Sequence, residues 1–177
     1  MNEPKEKTTL AAGKFLRFVN RGGWEFVERV GISGIVAIAA TDEDGRLLLV
    51  SQWREPVNHV VLELPAGLVG DAGTPDEPAE EAARRELYEE TGYTGGIWRE
   101  ATPGPPSAGA SSEVVRFFVA RGVRKLGPGG GVGKERISVH AVAPEQLGAF
   151  CRAAAAGGWL TDPKVYAGAW LAKEAVR

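Results

Sequence analysis

Cysteine is almost missing from this chain. Cys151 is the single one in 177 residues, which excludes an internal disulfide framework and fits a reducing compartment. Histidine is nearly as scarce. His59 and His140, with one thiol, cannot supply a usual structural zinc site, and each reads as a strand residue. Long apolar runs are lacking too: Gly34 to Ala40 falls far short of the roughly 20 residues of a membrane helix. The charged start, Asn2 to Lys7, has none of the apolar stretch of a secretory signal, so a cytoplasmic location and no membrane partner are expected. Nor does one sign of charge dominate. Lys and Arg number 21 against 23 Asp and Glu, a net −2, which argues against a nucleic-acid partner but leaves a small phosphate ester open. Common active-site signatures are absent as well. The glycines from Gly127 do not form G-x-G-x-x-G after a strand, and Gly133–Lys134 is followed by Glu135 where a P-loop needs Ser or Thr. No G-x-S-x-G elbow occurs.

What is present suits one domain with a substantial core and no internal repeat. Lys14 to Val19 and Trp24 to Val30 alternate loosely around Asn20–Gly23, which predicts a hairpin. Ser33 to Thr41 and Arg46 to Ser51 are apolar runs joined by Asp42–Gly45, a second hairpin inside a core sheet. Val60 to Leu64, Val114 to Val123 and Ile137 to Val142 read as further strands. Helices are expected from Pro78, in a first turn, to about Gly92, then at Pro144 to Ala156 and Asp162 to Val176. A mixed sheet with few helices gives an α+β class or a three-layer α/β/α sandwich.

The helix before Gly92 carries the chemistry. At 100° per residue, Glu86, Glu89 and Glu90 share a sector about 100° wide. Like charges one turn apart cost a few tenths of a kcal/mol per pair, so the crowding calls for something cationic between them. A hard divalent ion with oxygen ligands is the natural candidate. A charge run is more often a solvated face. Here Ala79, Ala82 and Ala83 share the acids' sector, while Glu81, Arg84 and Tyr88 lie opposite. The acidic face therefore starts against the protein body and opens into a cleft. Arg85, one turn from Glu89, can pair with it.

The order Arg85, Glu86, Leu87, Tyr88, Glu89, Glu90, Thr91, Gly92, with Glu77 eight positions before the arginine, resembles the signature helix of the Nudix hydrolases. Two departures stand out. Asp71 takes the place of the signature's first glycine, and Gly67 lies ten positions before Glu77 instead of six, so four residues are inserted within Val69 to Asp76. Tyr93 replaces the closing aliphatic residue. The resemblance implies a Nudix-type α/β/α sandwich with a mixed sheet and an N-terminal antiparallel strand extension. It implies one domain over 1–177, with a dimer-forming extension at 1–31 and a catalytic core at 32–177.

Other segments are similar to the ADP-ribose pyrophosphatase branch of that family. Glu63, Leu64, Pro65, Ala66, Gly67 resembles its ELPAG strand end, which implies the Ala66 carbonyl as a metal ligand. Gln52 to Val57 is similar to its Q-aromatic-R-x-P-V segment, so Gln52 and Arg54 are implied substrate contacts. Trp24, Glu25 and Arg29 look like its adenine-stacking tryptophan, the neighbouring glutamate and a phosphate-binding arginine. Ser107 to Glu113, with Ser111 and Glu113 in the matching places, resembles its S-P-G-x-S-x-E segment with Ala108 for proline. Asp162 to Gly168 is similar to its closing helix motif.

The chemistry so implied is metal-dependent hydrolysis of a nucleoside diphosphate linked to a sugar, with ADP-ribose giving AMP and ribose 5-phosphate. Glu86 and Glu90, with Glu89 sharing, are the expected ligands of magnesium, or manganese in its place, at two or three ions per site. Arg85, Glu77 and Gly67 support them. Glu135, the one acid between Gly127 and Glu135, is the expected general base in a glycine-rich segment that reads equally as a lid or a passive loop, with Glu89 or Glu90 as base if Glu135 ligates metal. The alternatives are GDP-mannose or another nucleotide sugar, or a non-catalytic nucleotide-binding sensor. A homodimer is implied, its N-terminal strands crossing to the partner.

Overall fold

The computed structural model describes residues 5–71 and 73–174. The first four positions of the expected extension, one residue of the inserted stretch and the expected helix end at Val176 lie outside the described residues.

Among the described residues the strands form two sheets. The smaller holds β1 (Lys7–Ala12), β2 (Leu16–Arg21) and β3 (Trp24–Arg29), antiparallel in that order. Gly22 and Gly23, at φ 59° and 88°, make the two-residue turn between β2 and β3. Such a turn needs positive φ at both positions, and glycine supplies it without strain. β1 differs from expectation. It is exposed along its whole length, so its sequence carries no burial pattern to reveal a strand.

The larger sheet is built on β4 (Gly34–Asp42), β5 (Leu47–Arg54), β6 (His59–Glu63), β7 (Ala66–Val69) and, after the long helix, β8 (Tyr93–Thr94), β9 (Ile97–Glu100), β10 (Val115–Lys125), β11 (Ser138–Val142) and β12 (Leu160–Thr161). β4 runs parallel to β10 on one side. On the other it meets β7 and then β5, both antiparallel. β5 also pairs with β6 and β11. The sheet is mixed, as expected.

Helices cover both of its faces. Successive residues of β4 point to opposite sides. Val36, Ile38 and Ala40 join Ala79, Ala82, Ala83 and Leu87 of α1 (Ala79–Thr91) in one buried cluster. Ala37 and Ala39 join Leu49, Leu62, Leu147, Cys151 and Val165 in another, under α2 (Leu147–Ala156) and α3 (Lys164–Glu174). Burial on two faces is why β4 reads as a continuous apolar run. Each fully buried side chain of the Leu87 kind contributes roughly 1.5–3 kcal/mol. The result is the α+β class as an α/β/α sandwich.

Two helix starts differ from the sequence reading. Pro78 sits outside α1 as an extended cap, its carbonyl accepting from Ala82 N–H at 3.0 Å. Pro144–Gln146 forms a 3-10 turn before α2.

Candidate active site

Glu86 and Glu90 are one turn apart on α1 and both buried, 9% and 5% exposed, whereas Glu89 is half-buried. The three small residues behind them, Ala79, Ala82 and Ala83, are buried against the sheet, so the acids emerge from a packed face. β7 lies directly opposite. A Cβ on Gly67 would fall 1.9 Å from the Glu86 carboxyl carbon, so glycine here leaves the space in which that carboxylate stands. Ala66 N–H donates to Glu90 Oε2 at 3.1 Å.

The register of β7 explains this contact. Ile38 N–H donates to the Pro65 carbonyl, and Ala66 pairs with Ala37 one step further on. Hydrogen-bonded and non-bonded pairs alternate along an antiparallel ladder. Ala66 therefore turns both its N–H and its carbonyl away from β4, and the N–H reaches Glu90.

Arg85 organises the remaining acids. Its Nε and NH2 donate to Glu77 Oε1 and Oε2 at 2.9 and 3.1 Å, its NH1 to Glu86 at 2.8 Å and Glu89 at 3.2 Å, and its NH2 also to the Leu68 carbonyl at 3.1 Å. Asp71, which stands at the signature's glycine position, meets Arg85 at 3.4 Å. Part of the cation demanded by the crowded acids is thus Arg85 itself. Glu90 is different: among the described residues it forms no ion pair. Burial pushes its carboxyl up to about 8, with the nearby charges of Glu86 and Glu135 adding and Ala66 N–H and Arg54 opposing. Burial likewise pushes Glu86 up to about 7 against the pull of Arg85.

These donors suit a hard divalent cation. Two buried carboxylates face β7 at Gly67, which has no Cβ, and the outward Ala66 carbonyl, and every donor is oxygen. Among the described residues no three His, Cys, Asp or Glu side chains already converge as a metal cage. Magnesium needs none, since it is usually held by one or two carboxylates plus substrate phosphates and water.

Around this core the other expected residues fall into separate groups. Arg54 is close enough to act on Glu90 through its charge, and its Nε donates to Glu63 across the β5–β6 pair at 2.7 Å. Gln52 is half-buried two residues back on the same strand. Glu135 also acts on Glu90 through its charge, while its Oε2 accepts from Val132 N–H at 2.8 Å. The glycine segment before it differs from a free lid. Gly130 and Gly131 N–H donate to the Glu90 and Glu89 carbonyls at 2.7 and 3.0 Å, so the loop is tied to α1.

A second group forms where β3 meets the segment before β10. Val27 N–H donates to the Ala110 carbonyl at 2.9 Å and Ser112 N–H to the Val27 carbonyl at 3.0 Å. Trp24 Nε1 donates to the Gly109 carbonyl at 3.1 Å, and Arg29 Nε to Glu113 Oε1 at 2.6 Å. Ser111 bridges to Val27 and accepts from Glu113 N–H at 3.4 Å. Glu25, exposed on β3, is not drawn into these contacts.

Glu63, Asp71 and the Leu68 carbonyl were given no role from sequence. Glu63 stood in the quoted ELPAG segment, but nothing in one dimension pairs it with Arg54. Two open concavities lie elsewhere, one of about 460 Å³ beside Thr41, Arg99 and Arg121, the other of about 570 Å³ beside His140 and Phe150. Neither holds an acid of α1.

The chain is 39% identical to an ADP-ribose pyrophosphatase of Mycobacterium tuberculosis over 60% of its own length and 50% of that protein. It is 38% identical to an ADP-ribose pyrophosphatase of Bacillus subtilis over 49% and 45% of the two. The chain spans about half the length of these curated relatives. Among solved structures, an ADP compounds hydrolase shares the fold at a TM-score of 0.62 and 21% identity, over 83% of each chain. A family model described as the NUDIX domain matches residues 33–166, which takes in β7, the whole of α1 and Glu135. The acids that crowd one face of α1 lie inside the matched residues, and the chain belongs to the NUDIX domain family.

Proposed function

We propose that this chain is a metal-dependent pyrophosphohydrolase of nucleoside diphosphate sugars, acting on ADP-ribose to give AMP and ribose 5-phosphate. The observation that carries the reading is Glu90: buried, without an ion pair among the described residues, beside a second buried carboxylate and facing the Ala66–Gly67 backbone. The names of the two curated relatives support the substrate.

Glu86, Glu89, Glu90 and the Ala66 carbonyl would hold two or three divalent ions, magnesium or manganese, which neutralise charge growing on the pyrophosphate oxygens. Arg85 keeps Glu86 and Glu89 aimed while its other prongs anchor Glu77 and the strand. Glu135 takes the proton of the attacking water. A new P–O bond forms, the bridging P–O bond breaks, and the two halves leave as phosphate monoesters. Arg54 meets the phosphates, with Gln52 beside it. Trp24 stacks on the base, with Glu25, Arg29, Ser111 and Glu113 around the nucleotide.

The N-terminal sheet is the proposed dimer contact. It leaves Leu10 and Phe18 exposed, with Phe15 in the turn between β1 and β2, the apolar surface a second copy would cover. We place the protein in the cytoplasm; none of the helices among the described residues is long and apolar enough to cross a membrane. A light-scattering mass of one chain at assay concentration would refute the dimer.

The function is tested by offering ADP-ribose, GDP-mannose and dinucleoside polyphosphates with magnesium and separating the products by chromatography. ADP-ribose should be cleaved fastest. A faster rate on another compound overturns the substrate, and silence on all of them overturns the enzyme.

A further inference from the structure

A helix leaves its last carbonyls without partners, and a remote loop supplies them here. Gly92, at φ 74°, closes α1 by donating to the Tyr88 carbonyl at 2.8 Å. The Glu89 carbonyl accepts from Gly131 N–H, the Glu90 carbonyl from Gly130 N–H, and the Gly92 carbonyl from Leu126 and Gly127 N–H at 2.8 and 3.0 Å. The approach is close enough to demand glycine. A Cβ on Gly129 would sit 2.4 Å from the Thr91 carbonyl carbon, and one on Gly92 would sit 2.1 Å from the Gly127 oxygen.

Gly131 does one thing more. A Cβ there would lie 2.6 Å from both Cβ and Oε2 of Glu135. Its N–H is fixed to the Glu89 carbonyl, and its bare Cα leaves the space in which the Glu135 side chain stands. One residue therefore touches the backbone of a ligand helix on one side and the loop acid on the other.

We propose that Gly131 is a positioning residue that sets Glu135 relative to Glu89 and Glu90, and that the glycine run is a clasp on α1 instead of a hinge. This rests on the assignment of Glu135 as base.

Gly133 provides the control. It shares the left-handed backbone, φ 62°, but a Cβ there meets nothing within 4 Å. The experiment measures kcat and KM for ADP-ribose at saturating magnesium in G131A, G133A, E135Q and the G131A/E135Q double variant, with amide hydrogen exchange on the unliganded protein. G131A should lower kcat about 10- to 100-fold, as small misplacements of reacting groups do, with KM within about twofold. G133A should stay near wild type, and G131A should add no loss once Glu135 is Gln. The Gly130 and Gly131 amides should exchange slowly. A wild-type kcat in G131A, an equal loss in G133A, a full additive loss in the double variant, or a Gly131 amide exchanging at the open-chain rate each overturns the positioning role while leaving the Glu135 assignment intact. A wild-type kcat in E135Q is the separate outcome that overturns that assignment, and the inference with it.

Discussion

Arg85 grips Glu77 across eight positions of sequence with both prongs of its guanidinium, Nε to Oε1 at 2.9 Å and NH2 to Oε2 at 3.1 Å. Gly70 N–H donates to the same carboxylate at 3.1 Å. The pair holds the Glu77 carboxyl below its ordinary range and the Arg85 guanidinium above its own. Through Gly70 and Arg85, Glu77 ties the loop that precedes it to α1.

Lysine cannot reproduce that fork. R85K should cost about 1.5–3 kcal/mol, the range for hydrogen bonds to charged groups, and lower the urea midpoint without changing the slope. An unchanged midpoint would mean that the fork contributes nothing.

Gly67 is required by the Glu86 carboxylate rather than by its own backbone. G67A should push that carboxylate out of the site and reduce kcat by about 100-fold, the effect of misplacing a reacting group by about 1 Å. The far-UV spectrum should not change. Retained activity would show that the carboxylate has room to move aside.

Without metal, the buried acids should make stability fall as pH rises. Glu86 and Glu90 lie at about 7 and 8, above the ordinary 4.5, because burial favours the protonated form. The folded state therefore holds more protons than the unfolded chain in this window. Their stabilisation is complete below pH 4.5 and is lost as pH rises through 7 to 8. E90Q should remove the steepest part of the fall and exceed the wild type by on the order of 2–4 kcal/mol at pH 8.5. Denaturation series at pH 6 and 8.5 check this, and a pH-independent difference between the two proteins would contradict it.

Trp24 is 63% exposed, with its indole N–H fixed to Gly109, and the proposed function has a base stack on it. Stacking of a base on an aromatic is worth about 1–3 kcal/mol, so W24A should raise KM about 5- to 100-fold with a smaller effect on kcat. An unchanged KM would return Trp24 to a purely structural place.

The legible parts of this molecule are those whose burial is written locally. β4, β5 and β10 have long apolar runs because both faces are covered, and α1 shows its acids at helical spacing. β1 was hidden because nothing on it is buried, and β8 and β12, at two residues each, are too short to show a period. Contacts between distant segments were hidden too. Arg54 with Glu63 and Arg29 with Glu113 depend on register and topology. The glycine run was readable as glycine but not as a clasp, because positive φ suits a hinge and a close approach equally well.

The most direct test of the account is the turnover of ADP-ribose with magnesium by the wild type and by E90Q. The wild type should release AMP and ribose 5-phosphate in equal amounts, and E90Q should be slower by about 10³-fold, roughly 4 kcal/mol of transition-state stabilisation, with an unchanged fold. A wild-type rate in E90Q, or intact ADP-ribose after incubation with the wild type, would contradict it.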